Sequence, residues 1–354
     1  MDEGKQTPYV SIIIPAYNEE NIIENTINQI AEYLYRLFSS GQPFQIVVVN
    51  DGSTDRTAEI LNQLAQERAY LQVVHHQRNK GRGMGLRSGF EASRGRFVFS
   101  LDADLSYAPD QIGSLLKPLE HEEADIVLAS AYHSEGSVSN VPLFRRLVSR
   151  FGNRLISMAL GGEFKTVTCI VRGYRREVVE NLVLFSDDKA IHLEIIQKAR
   201  ILGYKIIEVP ADLVWRNDKR SSGKKGLNLS SFRQLAVRHL FFNFLFRPSM
   251  ISWIPVGAVG AVFLAVSVTS LLGFSAVLSQ HPLDAGWLRF YYALREHMLA
   301  AKVSYFVWSL SLLLLFQFFS LLFIAKQSSH HYEELFSFLS LLHKRIKKLE
   351  KRTD

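Results

Sequence analysis

The sequence offers almost nothing for covalent bracing. Its 354 residues include a single cysteine, Cys169, so no intrachain disulfide forms and nothing points to an oxidising compartment. A signal-peptide core is missing too. The opening MDEGKQTP is polar, and the segment ahead of the first long apolar run is expected to stay in the cytoplasm. No internal repeat or low-complexity tract appears, which excludes a repeat array. Charge is absent from two long runs, 251–278 and 303–325. A soluble core helix that long and apolar on every side would be unusual. Each run exceeds the roughly 20 apolar residues that cross a bilayer, so two transmembrane helices are predicted.

Basic residues outnumber acidic ones, 41 Lys and Arg against 34 Asp and Glu, for a net charge of +7. Such an excess suits nucleic acid, anionic lipid or a phosphorylated ligand. Here the Lys and Arg gather near the apolar runs and in the tail, where anionic lipid accounts for them, and no nucleic acid is expected as a partner. Arg233, Arg238 and Arg247 precede the first run and a Lys/Arg-rich tail follows the second, so the positive-inside bias puts both termini in the cytoplasm. The expected organisation is a cytoplasmic domain over 1–228, an interfacial amphipathic helix over 229–249, a membrane region over 250–326 and a basic amphipathic helix over 327–354. That last segment carries Leu335, Leu339, Leu342, Ile346 and Leu349 at alternating spacings of four and three. The pattern fits a short coiled coil between copies, and equally a basic helix lying on anionic lipid.

Within 8–228, strand-like and helix-like runs alternate. Strands are predicted at 10–14, 45–49, 71–74 and 96–101, with helices over 21–38, from Thr54 or Asp55 to about Arg68, and over 87–92. This is an α/β pattern, implying a mainly parallel sheet with helices on both faces and ligands at the carboxyl ends of the strands. Asp51 and Asp102 both fall there. Asp102 and Asp104 belong to SLDADLSYAPD, directly after the apolar run 97–99. Side chains one residue apart in extended chain share a face. Two like charges so placed repel, unless a divalent cation sits between them.

IPAYNEE (14–20), NDGSTDRT (50–57), NKGRGMGLRSGF (79–90) and DADLSYAPD (102–110) come in order, each at a strand end. Together they resemble glycosyltransferase family 2, enzymes with the GT-A nucleotide-sugar-binding fold. The resemblance implies a UDP- or GDP-linked sugar donor and a Mg²⁺ or Mn²⁺ cofactor. It implies that Pro15, Tyr17, Glu19, Asp51 and Asp102 bind the nucleotide and that Asp102 and Asp104 hold the metal. Lys80 and Arg82 are candidates for phosphate contact, and the glycines at 81, 83 and 85 would let backbone pass close to a ligand. Two spans after the catalytic domain resemble the polyisoprenyl-phosphate glycosyltransferases, membrane enzymes whose acceptor is a polyprenyl phosphate. Arg145 and Ser149, one helical turn apart, resemble that group's acceptor-phosphate element. WRNDKRSSGKKG (215–226) resembles its basic loop, with Arg220 and Lys224 as phosphate contacts and Arg220 also counted among the catalytic residues. Arg172, in TVTCIVRGYRR, completes the acceptor-phosphate candidates. No general base is required, because a phosphomonoester is already anionic near neutral pH.

The chain departs from the group's pattern at Thr166, Ile170, Ala131 and Ser106, where Asp, Gly, Arg and Gln are common. Asp187, Asp188 and Glu194 read as the capped start of a helix rather than as catalytic acids, and His192 as structural. A processive polysaccharide synthase would carry a Gln-x-x-Arg-Trp motif and more spans, and the motif is absent. A membrane scaffold with a degenerate nucleotide-binding domain is the alternative from another class. The intact Asp51, Asp102 and Asp104 argue against it.

Overall fold

The computed structural model describes residues 7–159, 162–215, 248–280 and 286–353. The chain divides into two compact units, Met1–Gly226 with Leu335–Asp354, and Leu227–Glu334.

The first unit is built on a seven-stranded sheet. Strands β1 (Val10–Ala16), β2 (Phe44–Asn50), β3 (Leu71–His75) and β4 (Phe97–Ser100) are mutually parallel. They are rich in Val, Ile and Phe, and β1, β2 and β4 are buried on both faces, as a sheet covered by helices on each side requires. Helix α1 (Ile23–Leu37) supplies one cover: Ile23, Ile27, Ile30 and Leu34, at helical spacing, are fully buried. Helices α2 (Thr57–Glu67) and α3 (Arg82–Ala92) link β2 to β3 and β3 to β4.

Beyond β4 come α4 (Gln111–Glu120), β5 (Ile126–Ser130), β6 (Ser137–Ser139), α5 (Leu143–Ala159), β7 (Arg172–Arg175), α6 (Arg176–Asn181), α7 (Ile191–Ile201), β8 (Ile206–Pro210) and β9 (Asp212–Val214). The sheet order is β3-β2-β1-β4-β7-β5-β8, with β7 antiparallel to both neighbours. A small parallel pair, β6 with β9, stands apart. After β1 the chain steps outward to β2 and β3, then returns to the other side of β1 as β4. The loops following β1 and β4 therefore diverge, and this switch point is where open α/β sheets leave a ligand crevice.

The strand predictions land within about two residues of the observed ends. Residues 87–92 lie in a helix, α3, which extends back to Arg82 because Gly83 and Gly85 are helical despite their weak propensity. Helix α2 is not capped by the side chain of its N-cap residue, Arg56. Asp55 instead accepts from the Thr57 N–H (3.0 Å) and hydroxyl.

In the second unit, α8 (Pro248–Gln280) contains the apolar span Pro255–Gln280. Helix α10 (Lys302–Thr353) begins in this unit and contains the second candidate, within Lys302–Ser340. Large apolar side chains face outward along both helices, Leu271 at 69% exposed and Phe316 at 75%, as suits hydrocarbon rather than protein interior. The stretch between the spans, which carries both Arg and Glu, holds a helix, α9 (Gly286–Ala300), which packs on α8 through Phe274 and Phe290. The amphipathic helix expected over 229–249 lies largely outside the described residues. Along the end of α10 that belongs to the first unit, Phe336 and Ser340 are buried while Leu335, Leu339, Leu342 and Ile346 are exposed.

Candidate active site

The loops leaving β1 and β2 are laced together. Asn18, held at φ 56°, accepts from the Thr54 N–H (2.8 Å) and donates its own N–H to Ser53 (3.0 Å). Glu19 N–H donates to Thr57 (2.8 Å), and Glu20 accepts from the Arg56 N–H (3.0 Å). Pro15 and Glu19 are thereby half-buried and Tyr17 stays exposed at one rim of the crevice.

Asp51 follows β2 directly, and its main chain continues the β1 pairing through a bond to the Ala16 carbonyl (2.9 Å). The residue is 4% exposed, and its carboxylate accepts from the Lys80 N–H (2.9 Å), the Gly81 N–H (2.8 Å) and His76 Nδ1 (2.8 Å). The other His76 nitrogen meets the Ser88 hydroxyl at 2.9 Å. Sequence reading missed His76. The available signal was its position immediately after β3, at the same sheet edge as Asp51.

The glycine-rich stretch serves a different purpose from the one expected. Gly83 and Met84 donate their N–H groups to the Asp187 carbonyl (2.8 and 3.3 Å). A Cβ on Gly81 or Gly83 would fall 2.4 or 2.3 Å from a carbonyl oxygen of Asp187 or Ser186. These glycines admit the 185–188 segment, and the N–H groups of Lys80, Gly81, Gly83 and Met84 are already engaged. Arg87 ties the same segment through Asp187 (2.9 Å) and the Phe185 carbonyl (3.2 Å). Lys80 is exposed and lines a cavity of about 500 Å³ with Arg78, Asn79, Met84, Arg87 and Asp187.

Strand β4 ends at Ser100, so Asp102 and Asp104 stand on the loop beyond it. The strand-like alternation persists: Leu101, Ala103, Leu105 and Tyr107 are buried, while Asp102 is half-buried and Asp104 exposed. Leu105 adopts φ 49°, a left-handed conformation costly for a branched side chain. That turn lets Ser106 aim both its N–H (2.9 Å) and its hydroxyl (2.8 Å) at Oδ1 of the exposed Asp104. Arg82 approaches Asp102 at 3.6 Å. Burial pushes the Asp102 carboxyl up to about 6; Arg82 and Lys189 oppose the rise and the neighbouring Asp104 charge adds to it. Two carboxylates so placed call for a cation. Among the described residues no group of three or more His, Cys, Asp or Glu side chains gathers into a metal site. The pair thus suits an ion shared with ligand oxygens, as Mg²⁺ and Mn²⁺ commonly are, rather than an all-protein cage.

Residues 11–183 match the model of "Glycosyl transferase family 2". They form a domain of that family. The Yersinia enterocolitica undecaprenyl-phosphate 4-deoxy-4-formamido-L-arabinose transferase is 34% identical over 184 residues, 52% of this chain and 54% of its own, so the match spans about half of that relative. The Edwardsiella ictaluri protein of the same name is 28% identical over 78% of this chain and 77% of its own. Glucosyl-3-phosphoglycerate synthase from Mycobacterium tuberculosis, crystallised with Mn²⁺, UDP and phosphoglyceric acid, superposes at TM-score 0.49 and 20% identity over 67% of this chain and 78% of that one.

The residues expected to contact an acceptor phosphate fare unevenly. Arg145 and Ser149 do share a helix, α5, which Asn153 fastens by accepting from the Val167 and Thr168 N–H groups (2.9 and 3.2 Å). Arg220 and Lys224 lie outside the described residues. Arg172 departs from expectation. It is 0% exposed, and its guanidinium donates to the carbonyls of Cys169 (2.8 Å), His192 (2.9 Å) and Val167 (2.6 Å). It knits the 167–172 turn to α7 and presents no face to a phosphate.

The unusual residues are structural as well. Thr166 bonds Ser130 (2.8 Å) and Ala131 is buried. The Ile170 carbonyl accepts from Ser100 (2.5 Å). Burial holds the Cys169 thiol up at about 11, and holds His192 well below its usual range with help from Arg172, Arg82 and Lys189. The acids before and within α7 are committed. Asp188 accepts from the Ala190 N–H (2.8 Å), and Glu194 accepts from the Phe185 and Ser186 N–H groups (2.9 and 2.8 Å) and pairs with Lys198.

Proposed function

We propose that the protein transfers a single sugar from a UDP- or GDP-linked donor to a polyprenyl phosphate at the cytoplasmic face of a membrane, with inversion. The observation that carries this reading is the Asp102–Asp104 pair at the switch point, with Asp51 across β1 and Arg82 beside it. A Mg²⁺ or Mn²⁺ ion bound there with the donor would supply positive charge to the departing nucleoside diphosphate. Asp104 Oδ2 and the Asp102 carboxylate are the residues to hold it. Arg82 adds a fixed cation on the same side. Asp51 and the 15–20 loop receive the nucleoside.

The acceptor follows from what the site spends on protons. Asp187, Asp188 and Glu194 are engaged with Arg87, a backbone N–H and Lys198. A phosphate acceptor, with a second pKa of about 6, needs no general base. The two apolar spans and the undecaprenyl-phosphate relatives favour a phosphate carried on lipid. Helix α5 favours it too: Leu143, Leu147 and Phe151 are 76%, 65% and 63% exposed along one stripe, beside Arg146 and Arg150 and on the helix that carries Arg145 and Ser149. An attack by that phosphate opposite the leaving group inverts the anomeric centre. The exposed Leu335, Leu339, Leu342 and Ile346 seam is where two copies would pair.

The test is to incubate the full chain in nanodiscs with Mn²⁺ or Mg²⁺, undecaprenyl phosphate and a panel of nucleotide sugars. One donor should yield a labelled lipid, and Asp104→Ala should cut its formation by about 10²–10³-fold. Label appearing only on a growing glycan, or with no donor at all, contradicts the proposal.

A further inference from the structure

We propose that His76 is a positioning residue of the donor pocket: it orients the Asp51 carboxylate and, through it, fixes the start of α3 from which Arg82 reaches Asp102. This rests on the donor reading above for the identity of the ligand, and on geometry for the clamp itself.

His76 is 9% exposed, and its own N–H extends the β2–β3 pairing by donating to the Asn50 carbonyl (2.9 Å). A carboxylate accepts only, so the Nδ1 facing Asp51 at 2.8 Å carries the proton; in the neutral ring, Nε2 then accepts from Ser88 on α3 (2.9 Å). The imidazole is thus a strut from the end of β2 to the body of α3. Asp51 Oδ1 receives both His76 and the Lys80 N–H, and Oδ2 receives the Gly81 N–H. A carboxylate has about four acceptor positions. With three filled, the remaining one is on Oδ2, and it is left for an N–H or O–H of the nucleoside.

The clamp has a second consequence. The residue after Gly81 is Arg82, whose guanidinium stands 3.6 Å from Asp102. Gly52, at φ 68°, lets the 78–79 backbone lie against it, where a Cβ would meet Arg78 at 2.3 Å. The nucleoside end and the diphosphate end of the site are therefore set by one hydrogen-bonded unit. A ligand that engages Asp51 meets an Arg82 already in register with the metal carboxylates.

Two amide substitutions separate the roles of the two ring nitrogens. His76→Asn keeps an N–H near Nδ1, facing Asp51, and gives up Ser88. His76→Gln reaches the Nε2 position and gives up Asp51. His76→Phe loses both. In the full chain in nanodiscs with Mn²⁺, UDP and GDP affinities are measured by calorimetry, and KM and kcat with whichever donor the unmodified protein uses. His76→Asn should stay within about threefold of the unmodified protein. His76→Gln and His76→Phe should weaken nucleotide binding about tenfold, with KM raised and kcat lowered together. A purely structural histidine would instead lower the melting temperature in all three and leave kcat per folded molecule unchanged. Gln binding better than Asn, or Phe binding like the unmodified protein, overturns the proposal alone. Should His76→Phe not fold, the Asn–Gln contrast decides. An unmodified protein that binds neither nucleotide overturns the donor reading and this one with it.

Discussion

Asp51 and Asp102 end neighbouring arms of the same sheet edge, with β1 between them, and the protein treats them in opposite ways. Asp51 is enclosed and receives three donors from its own chain. Asp102 sits beside a second carboxylate, meets Arg82 only at 3.6 Å, and has its proton affinity raised by burial. A carboxylate that the fold has largely satisfied belongs first to the scaffold. One left charged and crowded by a like neighbour invites a positive partner from outside. On the proposed reading the first shapes the donor pocket, keeping one acceptor position for the nucleoside, and the second supplies the metal ligands.

The sharpest way to break this contrast is by stability. Asp51→Ala strands two backbone N–H groups and His76, and is expected to cost about 3 kcal/mol in thermal or denaturant melts of the nanodisc-embedded chain. Asp104→Ala removes an exposed side chain and should stay within about 0.5 kcal/mol. Equal losses would erase the distinction.

The next test is pH. The folded Asp102 carboxyl titrates at about 6 against an ordinary 3.8, so between those values the folded state holds more protons than the unfolded state. Stability from this group therefore falls as pH rises through that window. The slope should vanish in Asp102→Asn and be offset above pH 6 by Mn²⁺ with UDP. A wild-type slope unchanged in Asp102→Asn would show that another group is responsible.

The smallest expected effect is that of Arg82→Gln. Removing the cation beside Asp102 should raise donor KM about tenfold with little change in melting temperature. An unchanged KM would separate Arg82 from the donor.

Much of the first unit was legible because its signals are local. The Val and Ile runs of β1 and β2, and the helical spacing of Ile23, Ile27, Ile30 and Leu34, state their burial directly. The acidic pair after β4 announced a charge problem before any geometry was known. What was illegible depends on contacts between distant residues. Arg172 resembles a ligand-binding arginine by motif, yet the carbonyls of its own turn, at Val167 and Cys169, and that of His192 twenty residues on consume it. The glycines at 81 and 83 resemble a phosphate turn, yet the neighbour they admit lies about a hundred residues away in the sequence, at Asp187. The helix Gly286–Ala300 was hidden by its mixed charge and by the two apolar runs around it. His76 has no partner within ten residues that would mark it. Only the parallel pairing of β2 with β3 brings it to Asp51.

Leu105 has an implication for how this site can change. Its backbone is held against its own preference, by about 1–2 kcal/mol, because its side chain is buried and Ser106 must face Asp104. Glycine would relieve that tension and release the buried anchor in one step. A glycine at this turn would therefore trade backbone strain for a freer Asp104, which on the proposed reading is a metal ligand.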